Sequence, residues 1–289
     1  MTVDPAFPPD PARATLLSHR MHVSLAASLR HVRERCEGEI AFDGAAIDAL
    51  IAALEDGSRY PPVTFSYYYE LVPALLDGDW HTAARMFAAL ASAAPVVPGL
   101  RVVALGEAGL GAASDRYRRL MNGDSRLQLG LQSPPADSAA AFRRRLARAF
   151  DLLDHALPAL AGEIRGLVNE VVIVAGDPAQ SLQFDGGSHF QLWGALFLNG
   201  DFHHTEQALI EVLAHESAHS LLFGFCTETA LVENTDDELF VSPLRPDPRP
   251  MDGIFHAAFV SAREAYAFEA LLSRHDETRC LSSDDAEIL

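Results

Sequence analysis

The spacing of apolar residues predicts a mostly helical chain. Over most of the first 170 residues they recur every three or four positions, which is the period of an amphipathic helix. The segment 12–39 shows this period with Leu17, Met21, Leu25 and Leu29. Further helices are expected over 43–55, 64–76, 79–93 and 137–155, with one more ending near 167.

The pattern changes beyond residue 170. The short β-branched run 171–174 and the apolar, aromatic run 190–198 both predict strands, and Asp185 to Ser188 predicts a turn before the second one. A helix over about 205–223, a polar loop and a last helix over about 252–273 follow. We therefore expect an α+β fold, mostly helical, with a small antiparallel sheet beside the helix 205–223.

Two stretches rich in proline and glycine interrupt the helical pattern. They lie at 94–111 and at Ser133-Pro134-Pro135. We place a soft boundary near residue 130, between a helical N-terminal region, 1–130, and an α+β catalytic region, 131–289. Helical layers of one domain would give the same pattern, so a single domain stays an alternative.

Charge and cysteine content narrow the classes of function. Lys and Arg number 22 against 40 Asp and Glu, which gives a net charge of −18. Such a field repels nucleic acids and anionic membranes, so neither is expected as a partner. Three widely spaced cysteines predict no disulfide framework. The acidic, proline-rich start does not resemble a secretory signal, and no apolar run is long enough for a membrane span, so we expect a cytoplasmic protein.

The helix 205–223 carries the pattern H-E-x-x-H, as His215-Glu216-Ser217-Ala218-His219. Residues four apart share one face of a helix, so both imidazoles can bind one ion. The surrounding helix is apolar on most sides, and burying these groups unpaired would cost several kcal/mol. The sequence therefore predicts a metal ion held by His215 and His219.

A third ligand is expected from another element. The last helix offers His256, Glu264 and Glu269, and the loop before it offers Glu233. On the 3.6-residue period, Glu264 lies about 80° from His256 around the helix. From spacing alone, all four residues stay open as the third ligand.

Four segments together resemble a known family: 190–199 (FQLWGALFLN), 213–223 (LAHESAHSLLF), 232–234 (VEN) and 242–257 (SPLRPDPRPMDGIFHA). The resemblance is to the 2-oxoglutarate-dependent HExxH peptide β-hydroxylases, the HExxH-motif peptide modification proteins. It covers about residues 170–272 well and the helical first half loosely. Its specificity lies in the Arg-Pro-rich loop followed by Gly253-Ile254-Phe255-His256, because many metallopeptidases share H-E-x-x-H.

This resemblance implies an Fe(II) ion bound by His215, His219 and His256, with 2-oxoglutarate as co-substrate and a ribosomally made precursor peptide as substrate. Three histidines depart from the common set of two histidines and one carboxylate. The far carboxylate of 2-oxoglutarate needs a cation. Arg263, seven residues from His256 on the same helix face, is the first candidate, and Arg245 and Arg249 are the others.

Two further hypotheses remain. A gluzincin-like zinc metallopeptidase would use Glu216 as the general base that activates water, and its third ligand would be Glu264 or Glu233. In a hydroxylase, Glu216 would orient a ligand or the substrate, or bind the metal itself. The third hypothesis, a binding module with a structural metal, is least favoured because Arg and Glu residues surround the predicted site.

Overall fold

The computed structural model describes residues 6–123, 129–177, 179, 184–227, 230–244 and 247–278. These residues form a mostly helical α+β fold, which confirms the predicted fold class. The helices are α1 (Pro11–Cys36), α2 (Gly44–Glu55), α3 (Pro62–Leu76), α4 (Trp80–Ala91), α5 (Ala113–Met121), α6 (Ala136–Ala156), α7 (Pro158–Leu167), α8 (Glu206–Phe225) and α9 (Met251–Thr278). The strands are β1 (Arg101–Ala104), β2 (Glu170–Val174), β3 (Gly186–Ser188), β4 (Ala195–Asn199), β5 (Leu239–Phe240) and β6 (Arg249–Pro250).

The main sheet has four strands in the order β1-β2-β4-β3. It is mixed rather than antiparallel as predicted, since β1, β2 and β4 run parallel and only β3 runs antiparallel to its neighbour. The connection from β1 to β2 passes through α5, α6 and α7, and such a crossover lets two neighbouring strands point the same way. Every residue of β2 and β4 is buried, as is typical of parallel strands covered on both faces.

The segment predicted as one strand, 190–198, is divided in two. Phe190–Leu192 forms a short 3-10 helix, and β4 begins only at Ala195. Between them Gly194 has a φ of +89°, a conformation that side chains with a Cβ rarely adopt. The expected turn at 185–188 is instead the edge strand β3, which pairs with β4 from Gly186 to Ser188.

The largest buried apolar cluster draws residues from both sides of the predicted boundary, from Ala14 on α1 to Leu271 on α9. Helix α8 lies at its centre, against α6, α9 and strand β3. The domain boundary near residue 130 remains a prediction.

Among the described residues, no helix is both long enough and apolar enough to cross a lipid bilayer.

Candidate metal centre

Helix α8 holds the H-E-x-x-H motif in a buried position. It begins where the Thr205 hydroxyl accepts a hydrogen bond from the Ala208 amide, 3.1 Å away. Its core-facing side chains include Leu209, Leu213 and Leu221, all fully buried. This packing fixes the rotation of the helix and turns His215 and His219 towards α9.

The two motif histidines lie side by side on α8. Their ring centroids are 5.0 Å apart, and their Nε2 atoms are 3.2 Å apart. Two nitrogens bonded to one ion at about 2.1 Å would be about 3.0 to 3.4 Å apart for right-angle and tetrahedral bond angles. The spacing of this pair therefore fits one metal ion.

Helix α9 brings two more side chains to the pair. Nδ1 of His256 lies 3.0 Å from Nδ1 of His219, with the two rings stacked at a centroid distance of 5.3 Å. Oε1 of Glu264 lies 2.7 Å from Nδ1 of His215. The structure thus joins Glu264, His215, His219 and His256 in one continuous chain of contacts.

The three histidines do not converge on one ion position, because His219 faces His215 through Nε2 but faces His256 through Nδ1. Within the described part of the chain, no three His, Cys, Asp or Glu side chains are placed around a common ion position. The donor set therefore fits a metal at His215 and His219, and the ring of His256 would have to turn to join them.

Burial favours the neutral form of His219 and His256, which is the form that binds metals. It lowers the pKa of His219 to about 3, and the neighbouring charges of His215 and His256 act in the same direction. Burial also lowers the pKa of His256. For His215 the effect of burial is outweighed by the hydrogen bond to Glu264 and by nearby carboxylates, so its pKa is raised. Neutral imidazole is the state that donates a lone pair to a metal.

A cavity of about 290 Å³ opens beside His215. The side chain of Glu216 on its wall is only 6% exposed, and its Oε2 has no hydrogen-bond partner among the described residues. Burial raises the pKa of Glu216 to about 7, although the charge of His215 and a hydrogen bond with Ser188 oppose the shift. The remaining wall is formed by Asp185, Gly186, Phe202, His203, Ala208, Glu211, Val212 and Glu264.

The opposite side of the histidine cluster is aromatic. The ring of Phe223 lies 5.8 Å from that of His256 and 5.9 Å from that of Phe190, measured between centroids. Tyr69 extends this contact chain, with its centroid 5.5 Å from that of Phe190. The cluster therefore lies between an acidic cavity and an apolar wall.

Arg263 is on α9 as expected, but it does not line the cavity. Its guanidinium is paired with the carboxylate of Glu163 on α7, and its Nη1 donates to the Phe7 carbonyl at 2.7 Å. Arg13 binds the other oxygen of Glu163 at 2.9 Å. Arg263 is only 1% exposed, so it ties α9 to α7 and to the segment before α1.

The other predicted residues lie further from the histidines. Arg249, on β6, pairs through Nε with Asp247 at 3.2 Å. Its Cδ lies 3.9 Å from the position a Cβ would take on Gly253, one helical turn from His256. Glu233 is exposed in the loop after α8, and Arg245 lies outside the described residues.

Sequence reasoning missed three residues on the cavity wall, namely Asp185, His203 and Glu211. His203 lies three residues before α8, and its Nε2 is 3.0 Å from Oδ1 of Asp185. Glu211 could have been found, because it precedes His215 by four residues and so shares its helix face. No local signal points to Asp185, whose position depends on the unpredicted strand β3.

The sequence matches no protein-family model, and no curated protein matches it.

Proposed function

We propose that this chain is a cytoplasmic Fe(II)- and 2-oxoglutarate-dependent dioxygenase that hydroxylates the β-carbon of a residue in a ribosomally made precursor peptide. The observation that carries the proposal is the position of His256 on α9, next to His219 of the H-E-x-x-H motif. His256 lies against Nδ1 of His219, whereas Glu264 binds Nδ1 of His215. The family resemblance implies a three-histidine set, which His256 would complete if its ring turned towards the ion. A gluzincin would instead use a carboxylate as third ligand.

His215, His219 and His256 would hold the metal. Fe(II) held there, together with 2-oxoglutarate and dioxygen, would supply the oxidation of an unactivated carbon. The chain's own residues provide the geometry. Glu264 holds the proton on Nδ1 of His215 and so leaves Nε2 free to bind the ion.

Of the three arginines predicted to anchor 2-oxoglutarate, Arg249 is now the best supported. Its side chain is 34% exposed and lies near Gly253 in the first turn of α9, one helical turn before His256. Arg263 is already committed to Glu163 and could serve only if that buried pair separated. Breaking a buried ion pair costs about 3 to 5 kcal/mol, which disfavours Arg263.

Zinc-dependent peptide hydrolysis is the second candidate, and Glu216 is the observation that favours it. Its buried carboxylate, with one unpartnered oxygen and a pKa of about 7, has the properties of a general base that activates water. In the hydroxylase the same carboxylate would orient the substrate, because oxidation needs no such base.

Intact-mass spectrometry separates the two candidates. The protein is incubated aerobically with Fe(II), 2-oxoglutarate and candidate precursor peptides, and succinate is measured in parallel. The hydroxylase adds about 16 Da to a peptide, the mass of one inserted oxygen, and forms succinate. His219→Ala should abolish both signals, while Glu269→Gln, an exposed change on α9, should leave them intact. Peptide cleavage that disappears in Glu216→Gln, with no mass gain, would establish the peptidase instead.

A further inference from the structure

The cavity beside His215 carries four carboxylates at three depths. Glu216 lies on its buried wall, Glu264 is half-buried, and Asp185 and Glu211 are exposed at the mouth. Asp185 directly precedes β3, Glu211 and Glu216 lie on α8, and Glu264 lies on α9. Three separate elements therefore direct acidic groups into one space of about 290 Å³.

An independent observation indicates that this space takes a ligand. Oε2 of Glu216 is buried and has no hydrogen-bond partner among the described residues. A buried carboxylate oxygen without a partner costs free energy, and protein interiors rarely tolerate one. A donor entering the cavity would satisfy it.

Positive charge on the wall is scarce. No arginine of the described part of the chain lines the cavity, and its two histidines are already paired, His203 with Asp185 and His215 with Glu264. Burial and the charges of Glu264 and Asp185 raise the pKa of Glu211, and the charges of His203 and His215 offset this only in part. A cation would relieve the repulsion between these carboxylates. The ring of Phe202, which is 42% exposed on the same wall, adds an aromatic surface suited to an organic cation.

The four carboxylates reach the cavity from three separate elements, an arrangement that an extended organic cation can span. Among the described residues, no three of these groups are placed to close around a single ion. A guanidinium or ammonium group on a flexible stem can instead donate to acceptors that lie apart, and its stem can pack along the wall.

We propose that this cavity is a specificity subsite that binds an arginine or lysine side chain of the peptide substrate, with Asp185 and Glu211 drawing the cation to the mouth and Glu216 accepting a hydrogen bond from it inside. The inference rests on the proposed function only in taking a peptide as the substrate. It adds the class of residue that the enzyme selects next to the position it modifies.

Isothermal titration calorimetry with two matched probes tests this subsite. N-acetyl-arginine methylamide carries the cation, and N-acetyl-citrulline methylamide has nearly the same shape without the charge. Each probe is titrated into two forms of the protein, one loaded with Zn(II) and one free of metal. Zn(II) prevents oxidative turnover. We expect the arginine probe to bind about tenfold more tightly, as two partly exposed charge pairs would give.

Charge-neutral variants then locate the binding. Glu211→Gln and Asp185→Asn should each reduce the preference for arginine about threefold or more. Glu269→Gln is the matched control, because it removes the same charge from an exposed position on α9 away from the cavity. It should change the preference less than about twofold. Circular dichroism melting curves confirm that each variant is folded.

Three results would overturn the proposal. The first is equal binding of the two probes. The second is a loss of preference in Glu269→Gln as large as in Glu211→Gln, since only the overall charge would then matter. The third is displacement of the arginine probe by calcium chloride beyond that caused by sodium chloride at equal ionic strength, which would mark a divalent-cation site. Because neither probe requires turnover, these results are separate from the success or failure of the hydroxylation assay.

Discussion

Oε1 of Glu264 on α9 lies 2.7 Å from Nδ1 of His215 on α8. Because an ionised carboxylate can only accept, Nδ1 of His215 carries the proton and donates it to Glu264. The lone pair of His215 is then on Nε2, the atom that faces His219 at 3.2 Å. One hydrogen bond between two helices thus selects the tautomer that can bind a metal.

Glu264 should therefore act through His215 rather than as a ligand. Glu264→Ala is expected to lower the affinity for Co(II) or Zn(II) about 10- to 100-fold, as loss of such outer partners typically does. Glu264→Gln, whose amide oxygen still accepts the bond, should lose less. Competition with a chromophoric chelator measures both, with Glu269→Gln as control. If Glu264→Gln abolished metal binding as completely as Glu264→Ala does, Glu264 would itself be a ligand.

The buried carboxylate of Glu163 should matter greatly for stability. This single carboxylate forms ion pairs with both Arg13 and Arg263, and all three side chains are less than a tenth exposed. Glu163→Gln should lower the free energy of unfolding by about 3 to 5 kcal/mol, because it leaves buried guanidinium groups without a counter-charge. Urea denaturation followed by circular dichroism measures this change.

The matched control is Glu55→Gln, since Glu55 pairs with Arg30 at a distance of 2.7 Å on the surface. That change should cost about 0.5 kcal/mol or less. Equal effects of the two substitutions would contradict the account of Arg263 as a structural tie between α7 and α9.

The fold class and most of the helices could be predicted because apolar spacing records which face of each helix is buried, but helix α5 and strand β1 were missed. The direction of the strands could not be predicted, since an apolar run such as 171–174 is compatible with both parallel and antiparallel pairing. The parallel pairing of β1 and β2 follows from the crossover through α5 to α7, which is a property of the whole chain. Strand β3 was missed because two of its three residues are glycine, which has a low strand propensity.

The site shows the same division between local and distant information. The i, i+4 spacing of His215 and His219 was sufficient to place them together. The role of Arg263 was not readable, because seven residues extend about 10 Å along a helix and reach a different neighbour. Its partner, Glu163, lies 100 residues away in the sequence. The spacing of residues in the sequence shows which of them share a helix face, but tertiary packing determines which other element that face contacts.

His22 should make stability depend on pH. Its Nδ1–H donates to the Ser18 carbonyl at 2.7 Å, and its Nε2 accepts from the Tyr60 amide at 3.2 Å. Burial lowers the pKa of His22 from 6.5 to about 4. The unfolded chain therefore takes up a proton near pH 6.5, whereas the folded chain does so only near pH 4. The contribution is complete above pH 6.5 and is lost as the pH falls towards 4, by up to about 3 kcal/mol.

Denaturant titrations of the wild type and of His22→Gln at several pH values measure this effect. The stability difference between them should shrink as the pH falls from 7 to 4. His31→Gln, an exposed change on the same helix, should show no such trend. A wild-type advantage over His22→Gln that stays constant across this range would show that His22 is not held neutral.

Gly186 should be essential for access to the cavity. A Cβ at this position would lie 2.8 Å from Cγ2 of Val212 and 3.3 Å from Oε1 of Glu216. Gly186→Ala should therefore push β3 away from α8 or displace Glu216, with a loss of about 1 to 3 kcal/mol in stability. Binding of the arginine probe should fall as well. Gly109→Ala, where a Cβ meets nothing within 4 Å, is the control, and equal effects of the two changes would contradict this geometry.

The position of the metal tests the central claim most directly. Crystals of the Fe(II)-loaded protein, grown without oxygen, would be measured on both sides of the iron absorption edge. We expect one anomalous peak per chain, within about 2.3 Å of imidazole nitrogens from His215, His219 and His256, with Glu264 bonded to His215 and not to the ion. A peak that Glu264 binds in place of His256, or a fully loaded protein whose iron lies away from His215 and His219, would contradict the account.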